Sequence, residues 1–168
     1  MGVEIERKFI ADAAMLPEPE KSVRLEQGYL DHARIMARVR IAGDRAFLTL
    51  KGTEGGTTRA EFEYPIPLGD ARELLRSFAL QGRVTKTRRY QRHGGRIWEV
   101  DVFDGANEGL VLAEVELSSE NEDVEIPPWV KREVSDDPRY FNAFLATHPY
   151  AEWKEDAEPE SRERDGKQ

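Results

Sequence analysis

Apolar and polar positions alternate with period two through most of the chain, the pattern of strands that present two distinct faces. It predicts strands over Val3 to Phe9, Val23 to Leu30, Ile35 to Ile41, Arg45 to Lys51, Arg59 to Ile66, Val84 to Gln91, Arg96 to Phe103 and Leu110 to Ser118. Ala42-Gly43-Asp44 and His93-Gly94-Gly95 are hairpin turn signals, Gly52 to Thr58 reads as a flexible loop, and Asp104 to Gly109 turns the chain into the last strand. Gly28, inside the second run, suggests a bulge or bend. Strands joined by such short links pair antiparallel. Two segments switch to helical spacing. Asp70 is placed to cap a helix over Ala71 to Leu80 with Leu74, Leu75 and Phe78 as its apolar stripe. Asp136-Asp137-Pro138 opens a second, turning Tyr140, Phe141, Phe144 and Leu145 inward until Pro149 stops it. A domain over residues 1–150 is thus followed by a charged tail over 151–168, expected to be disordered.

The polar face of these strands is unusually charged. Glu4, Glu6 and Lys8 share one parity; so do Arg38 and Arg40, Thr49 and Lys51, Arg59, Glu61 and Glu63, Lys86 and Arg88, Glu99 and Asp101, and Glu114 and Glu116. For one strand, a solvated outer face explains this. Across the set, single-sign pairs recur at i, i+2, which costs energy unless something binds between them. Paired carboxylates suit a hard cation and paired basic groups suit phosphate. Neighbouring same-face residues lie roughly 6.6 Å apart, so facing strands can line a site without crowding. We therefore expect an α+β, mainly β fold: a closed or nearly closed barrel of about eight antiparallel strands with a charged lumen, flanked by helices on its apolar outer face. The basic and acidic residues of that lumen nearly balance, so an anion is expected to bind there only when divalent cations are present.

Composition then narrows the chemistry. The 168 residues carry 25 Lys+Arg against 33 Asp+Glu, a net charge of −8 that weighs against a nucleic-acid polymer. With no cysteine there is no disulfide, thiol nucleophile or thiolate zinc site. The chain has no apolar run of about 18 residues and its start does not resemble a secretory signal, so no membrane is involved and a cytoplasmic location is expected. His32, His93 and His148 are scattered on turns and element ends. No nucleophile elbow and no P-loop are present. Trp98, Phe62 and Tyr64 fall on the apolar parity and read as packing, whereas Trp129 is a candidate rim residue.

Glu4-Ile5-Glu6-Arg7-Lys8 resembles the ExExK motif of the CYTH domain, the triphosphate tunnel metalloenzyme superfamily. The similarity continues through Gln27-Gly28-Tyr29-Leu30, Arg38-Val39-Arg40, Phe47 to Gly52, Glu61 to Tyr64, Trp98 to Phe103, Leu112 to Leu117 and Trp129 to Val134. The resemblance implies a tunnel enzyme that hydrolyses or rearranges triphosphates with Mg2+ or Mn2+, two ions with substrate bound. It implies Glu4, Glu6, Glu61, Glu63, Asp101, Glu114 and Glu116 as metal ligands or lumen acids. It implies Lys8, Arg38, Arg40, Lys51, Arg59, Lys86 and Arg88 as phosphate ligands, and Lys8, Tyr29 and Lys86 as catalytic candidates. Thr85-Lys86-Thr87-Arg88-Arg89-Tyr90 carries one Arg more than the usual spacing, leaving Arg88 and Arg89 as rivals for the lumen. Lys131 stands where relatives often carry Gly. A lumen rich in charge and poor in aromatics favours inorganic tripolyphosphate; thiamine triphosphatase, nucleoside triphosphatase and adenylate cyclase are the alternatives on this fold, and a non-catalytic polyphosphate- or nucleotide-binding module is the alternative of another class. The expected partner is a small anionic triphosphate, with a homodimer left open.

Overall fold

Tight turns set the strand pairing. Gly43 adopts φ 63° between the third and fourth strands, and Gly94 and Gly95 adopt 57° and 74° between the sixth and seventh, the left-handed geometry that two-residue hairpins require. The computed structural model describes residues 5–30, 35–52, 61–78, 82–119 and 122–157. Its strands are β1 Ile5–Ala11, β2 Lys21–Leu30, β3 Ile35–Ala42, β4 Arg45–Gly52, β5 Glu61–Ile66, β6 Arg83–His93, β7 Arg96–Phe103, β8 Val111–Leu117 and β9 Val130–Glu133. They form one antiparallel sheet in the order β5-β4-β3-β2-β6-β7-β8-β1-β9. β9 is one strand more than the alternation predicts; it pairs with β1 through Phe9↔Glu133 and Ile10↔Arg132. Among the described residues no ladder joins β5 to β9, so hydrogen bonds do not close the sheet there. β2 keeps an unbroken register with β3 and β6 through Gly28, so no bulge occurs there.

Three helices accompany the sheet: α1 Leu68–Phe78, α2 Asn142–Thr147 and α3 Lys154–Ala157. α1 begins before Asp70, because the Pro67 carbonyl accepts from the Ala71 N–H and Asp70 falls inside the first turn. Its Ala71 and Leu75 pack on Val39 and Ala46 of the outer sheet face, while Phe78 is exposed rather than part of the stripe. The second predicted helix is broken into a 3-10 turn, Pro138–Tyr140, and α2, with extended Phe141 between them. α3 and the buried Ala157, whose carbonyl accepts from Arg132, show that the expected tail contains an ordered turn up to residue 157.

Contrary to expectation, α2 does not cover the outer face. Val84, Phe103 and Leu112 share the inward parity with the charged residues, and with Val134, Tyr140, Leu145 and Ala146 they form a buried cluster. This apolar layer at one end of the sheet's inner face is what α2 buries against, with the hydrophobic effect as driving force. On the outer face, Phe9, Trp98, Val100, Val115 and Trp129 form a second cluster; Trp129 is core, not rim. Phe62 and Tyr64 are on the outer parity but exposed. Among the described residues no helix is long and apolar enough to cross a membrane.

Candidate active site

The sheet curls until eight of its strands face one cavity of about 250 Å3. Its lining is Glu6 and Lys8 from β1, Gln27 from β2, Arg38 and Arg40 from β3, Lys51 from β4, Glu63 from β5, Lys86 and Arg88 from β6, Glu99 from β7, Glu114 from β8, and Asn142 from α2. Every one of these side chains is polar or charged, six cationic and four anionic. The cavity widens into one mouth beside Tyr29, Met36, Phe141 and Ala143, and into another between Leu25, Phe47 and Tyr90.

Register explains how period-two strands produce this. Across β2, β3, β4 and β5 the inward residues line up as Tyr29↔Arg38, Arg38↔Thr49 and Thr49↔Glu63. On the facing wall Lys8 lies opposite Glu114, Glu114 opposite Glu99, and Arg88 opposite Asp101. The pairs within each wall are close. Lys8 Nζ is 2.8 Å from Glu114, and Arg40 donates to Glu63 at 3.0 Å, which also accepts from Thr49. Asp101, 1% exposed, accepts from Lys86 Nζ at 2.5 Å and from Arg88 Nε and Nη2 at 2.7 and 2.8 Å. Arg88 also pairs with Glu99.

Electrostatics follow from burial. Burial works against the Asp101 carboxylate, but Lys86 and Arg88 outweigh it and hold its pKa low. Lys86 is itself pushed down, first by burial. Arg40 is pushed down by burial and then by Arg38 beside it. Burial raises the Glu99 carboxyl, against the pull of Arg88. Burial lifts the Tyr29 hydroxyl to about 12, so it keeps its proton at any ordinary pH; its oxygen accepts from the Gln27 amide at 3.1 Å. The Nε–H groups of Arg38 and Arg40 are buried and have no hydrogen-bond partner among the described residues. Such orphaned donors are costly unless a ligand meets them.

Of the residues singled out from sequence, Glu6, Lys8, Arg38, Arg40, Lys51, Glu63, Lys86, Arg88 and Glu114 line this cavity, with Asp101 behind Lys86 and Arg88 and Tyr29 at one mouth. Glu116 faces Glu6 across the β1–β8 ladder but is exposed and outside the lining. Glu4 and Arg59 lie outside the described residues, as does the side chain of Glu61. Arg88 faces inward, whereas Arg89 donates to the Pro17 carbonyl on the other side, which resolves the rivalry. Lys131 is exposed and pairs with Asp12. Gln27 and Asn142 were not singled out. Gln27 sits on the inward parity of β2, a signal hidden by its lack of charge; Asn142 has no signal in any strand pattern.

Carboxylate oxygens with no soft donor among them suit a hard cation such as Mg2+ or Mn2+. The like-charged pair Glu6↔Glu116 is the kind of juxtaposition a cation relieves. No group of three metal-ligating side chains gathers among the described residues; Glu63, Asp101 and Glu114 are instead engaged by the cations opposite.

Comparison with known proteins gives a consistent picture. A CYTH domain model matches residues 2–141. The inorganic triphosphatase of Acetivibrio thermocellus is 44% identical over 156 residues, covering 92% of this chain and all of the relative. The inorganic triphosphatase of Nitrosomonas europaea is 40% identical over 150 residues, 85% of this chain and 96% of the relative. A crystal structure of an inorganic triphosphatase superimposes with a TM-score of 0.69 at 37% identity, over 88% of this chain and 96% of that one.

Proposed function

The chain belongs to the CYTH family, and from that premise we propose that it hydrolyses inorganic tripolyphosphate to pyrophosphate and phosphate with divalent cations. The observation that carries this reading is the pair of buried Nε–H donors on Arg38 and Arg40, partnerless among the described residues. Two neighbouring guanidinium groups on one strand repel each other and leave donors unmet; a polyanion with several oxygens satisfies both. The choice of an inorganic substrate rests on the twelve described lining residues, none of which is aromatic, so none of them stacks on a base.

In this reading Arg38, Arg40, Lys51, Lys86 and Arg88 hold the phosphate oxygens, with Arg59 as a further ligand. Lys8, tied to Glu114, contacts the reacting phosphate, and Tyr29, keeping its proton, donates a hydrogen bond to a phosphate oxygen or to the attacking water. Glu4, Glu6, Glu114 and Glu116 would hold a divalent cation, and Glu61 and Glu63 a second. Bound there, Mg2+ or Mn2+ neutralises phosphate charge and makes a water more acidic. Asp101 is the least available of the proposed ligands, because Lys86 and Arg88 already occupy its oxygens.

The test is phosphate release from tripolyphosphate, ATP and thiamine triphosphate with Mg2+ and with Mn2+. Fastest turnover of tripolyphosphate, abolished by EDTA, is expected. Cyclic AMP from ATP would assign a cyclase instead, and tight binding without turnover would assign a binding module.

A further inference from the structure

Lys86 is almost fully buried at the cavity wall, and two acceptors hold its ammonium: Asp101 Oδ2 at 2.5 Å and Asn142 Oδ1 at 2.9 Å. The two acceptors differ in kind. Asp101 is a carboxylate shared with Arg88, which also pairs with Glu99 and Glu114, so Asp101 cancels only part of the Lys86 charge. Asn142 is neutral: it fixes the direction of Lys86 without cancelling any of that charge. Its neighbour Phe141 sets a ring 5.3 Å from Lys8 Nζ. One dipeptide therefore contacts two of the three lysines among the described lining residues.

That dipeptide is delivered by a docked element. Extended Phe141 breaks the helix, so that Asn142 opens α2 against the cavity. α2 is drawn close to the start of β6 by Gly82, whose φ is 97°; a Cβ there would lie 1.9 Å from the Ala146 carbonyl oxygen. Asn107 adds a side-chain hydrogen bond to the Leu145 carbonyl. The amide at position 142 thus sits at the tip of a fixed arm rather than on a loose loop.

We propose that Asn142 is a positioning residue for the triphosphatase reaction, orienting the Lys86 ammonium toward the substrate while leaving its charge intact. This rests on the proposed function above. Removing the acceptor leaves a charged but misdirected lysine; replacing it with a carboxylate leaves a held but neutralised one. The two variants therefore fail differently. Asn142→Ala is expected to lower kcat about tenfold with KM within about threefold of wild type, since charge still draws the substrate but alignment is lost. Asn142→Asp, which is isosteric, is expected to raise KM about tenfold. It should weaken tripolyphosphate binding in EDTA by a similar factor, measured by calorimetry. Gly82→Ala should repeat the Asn142→Ala kinetics, because it pushes the arm away.

Lys86→Met is the control for the underlying reading. If it keeps full activity, the proposed site is wrong. If it is inactive while both Asn142 variants behave as wild type, or lose kcat and KM alike, only the positioning role is overturned. Thermal unfolding of each variant separates these outcomes from loss of fold; should Asn142→Ala unfold, the isosteric Asp variant decides the question.

Discussion

Asp101 shows how burial converts a residue's charge into a structural commitment. It is 1% exposed and holds two cations, Lys86 and Arg88, the second of which also pairs with Glu99 and Glu114. Removing one member of a buried ion set strands the others, a loss of about 3–5 kcal/mol. Asp101→Asn is therefore expected to be destabilised by about that amount in urea unfolding at neutral pH. A variant that keeps the wild-type midpoint and instead requires more metal would return Asp101 to the metal-binding set. The sequence places Asp101 on the inward parity but says nothing about its partners, because Lys86 and Arg88 reach it only through the β6–β7 register. Arg88 and Arg89 make the same point: two adjacent arginines are equivalent in composition, and only the strand's phase separates them.

At the scale of elements, β9 is the strand that pattern reading missed. Four residues, three of them charged and exposed, carry no readable alternation. What holds β9 is pairing with β1 and the Arg7–Glu133 ion pair at 2.5 Å. The Arg7 hydrogen bond, helped by Ser135, lowers the Glu133 pKa from 4.5 to about 2. A carboxylate lowered on folding stabilises the fold above its unfolded pKa, and that contribution fades as pH falls toward the folded value. Amide protection at Val134, whose N–H donates to the Lys8 carbonyl, should therefore fall between about pH 4.5 and pH 2 in the wild type when exchange is measured against the intrinsic rate at each pH. In Glu133→Gln that protection should already be low at neutral pH and change little over that window. An equal pH response in both would show that Arg7–Glu133 does not secure the edge. α2 is the complementary case: its helical tendency is legible, but its place is not. Val84, Phe103 and Leu112 do break the charge of the inward parity at one end, and this is the signal that the cavity is capped there.

For the whole molecule, the net charge of −8 describes the surface poorly as a guide to the ligand. Among the described lining residues cations outnumber acids, whereas the near balance expected from sequence included Glu4, Arg59 and Glu61, whose side chains are not among those described, and Asp101 and Glu116, which do not line the cavity. Tripolyphosphate is accordingly expected to bind in EDTA, more weakly than with Mg2+ and with steep salt dependence, since screening weakens attraction between partly exposed charges. Calorimetry at low and moderate salt checks this. Binding that vanishes entirely in EDTA would mean that the acids outside the described lining dominate the field.

Period-two alternation is a local property, set by each strand's own geometry, and so the chain's sequence alone determined which residues share a face, that the sheet is antiparallel, and that its charged face bears Arg38, Arg40 and Lys86. The family resemblance was equally legible, being carried by short ordered motifs. Tertiary structure alone decided that α2 caps the cavity instead of covering the outer face, and that Asp101 serves Lys86 and Arg88. Those outcomes depend on contacts between residues far apart in the chain, such as Lys86 with Asn142, and on how much water each pair loses when the walls meet. No local pattern records either quantity.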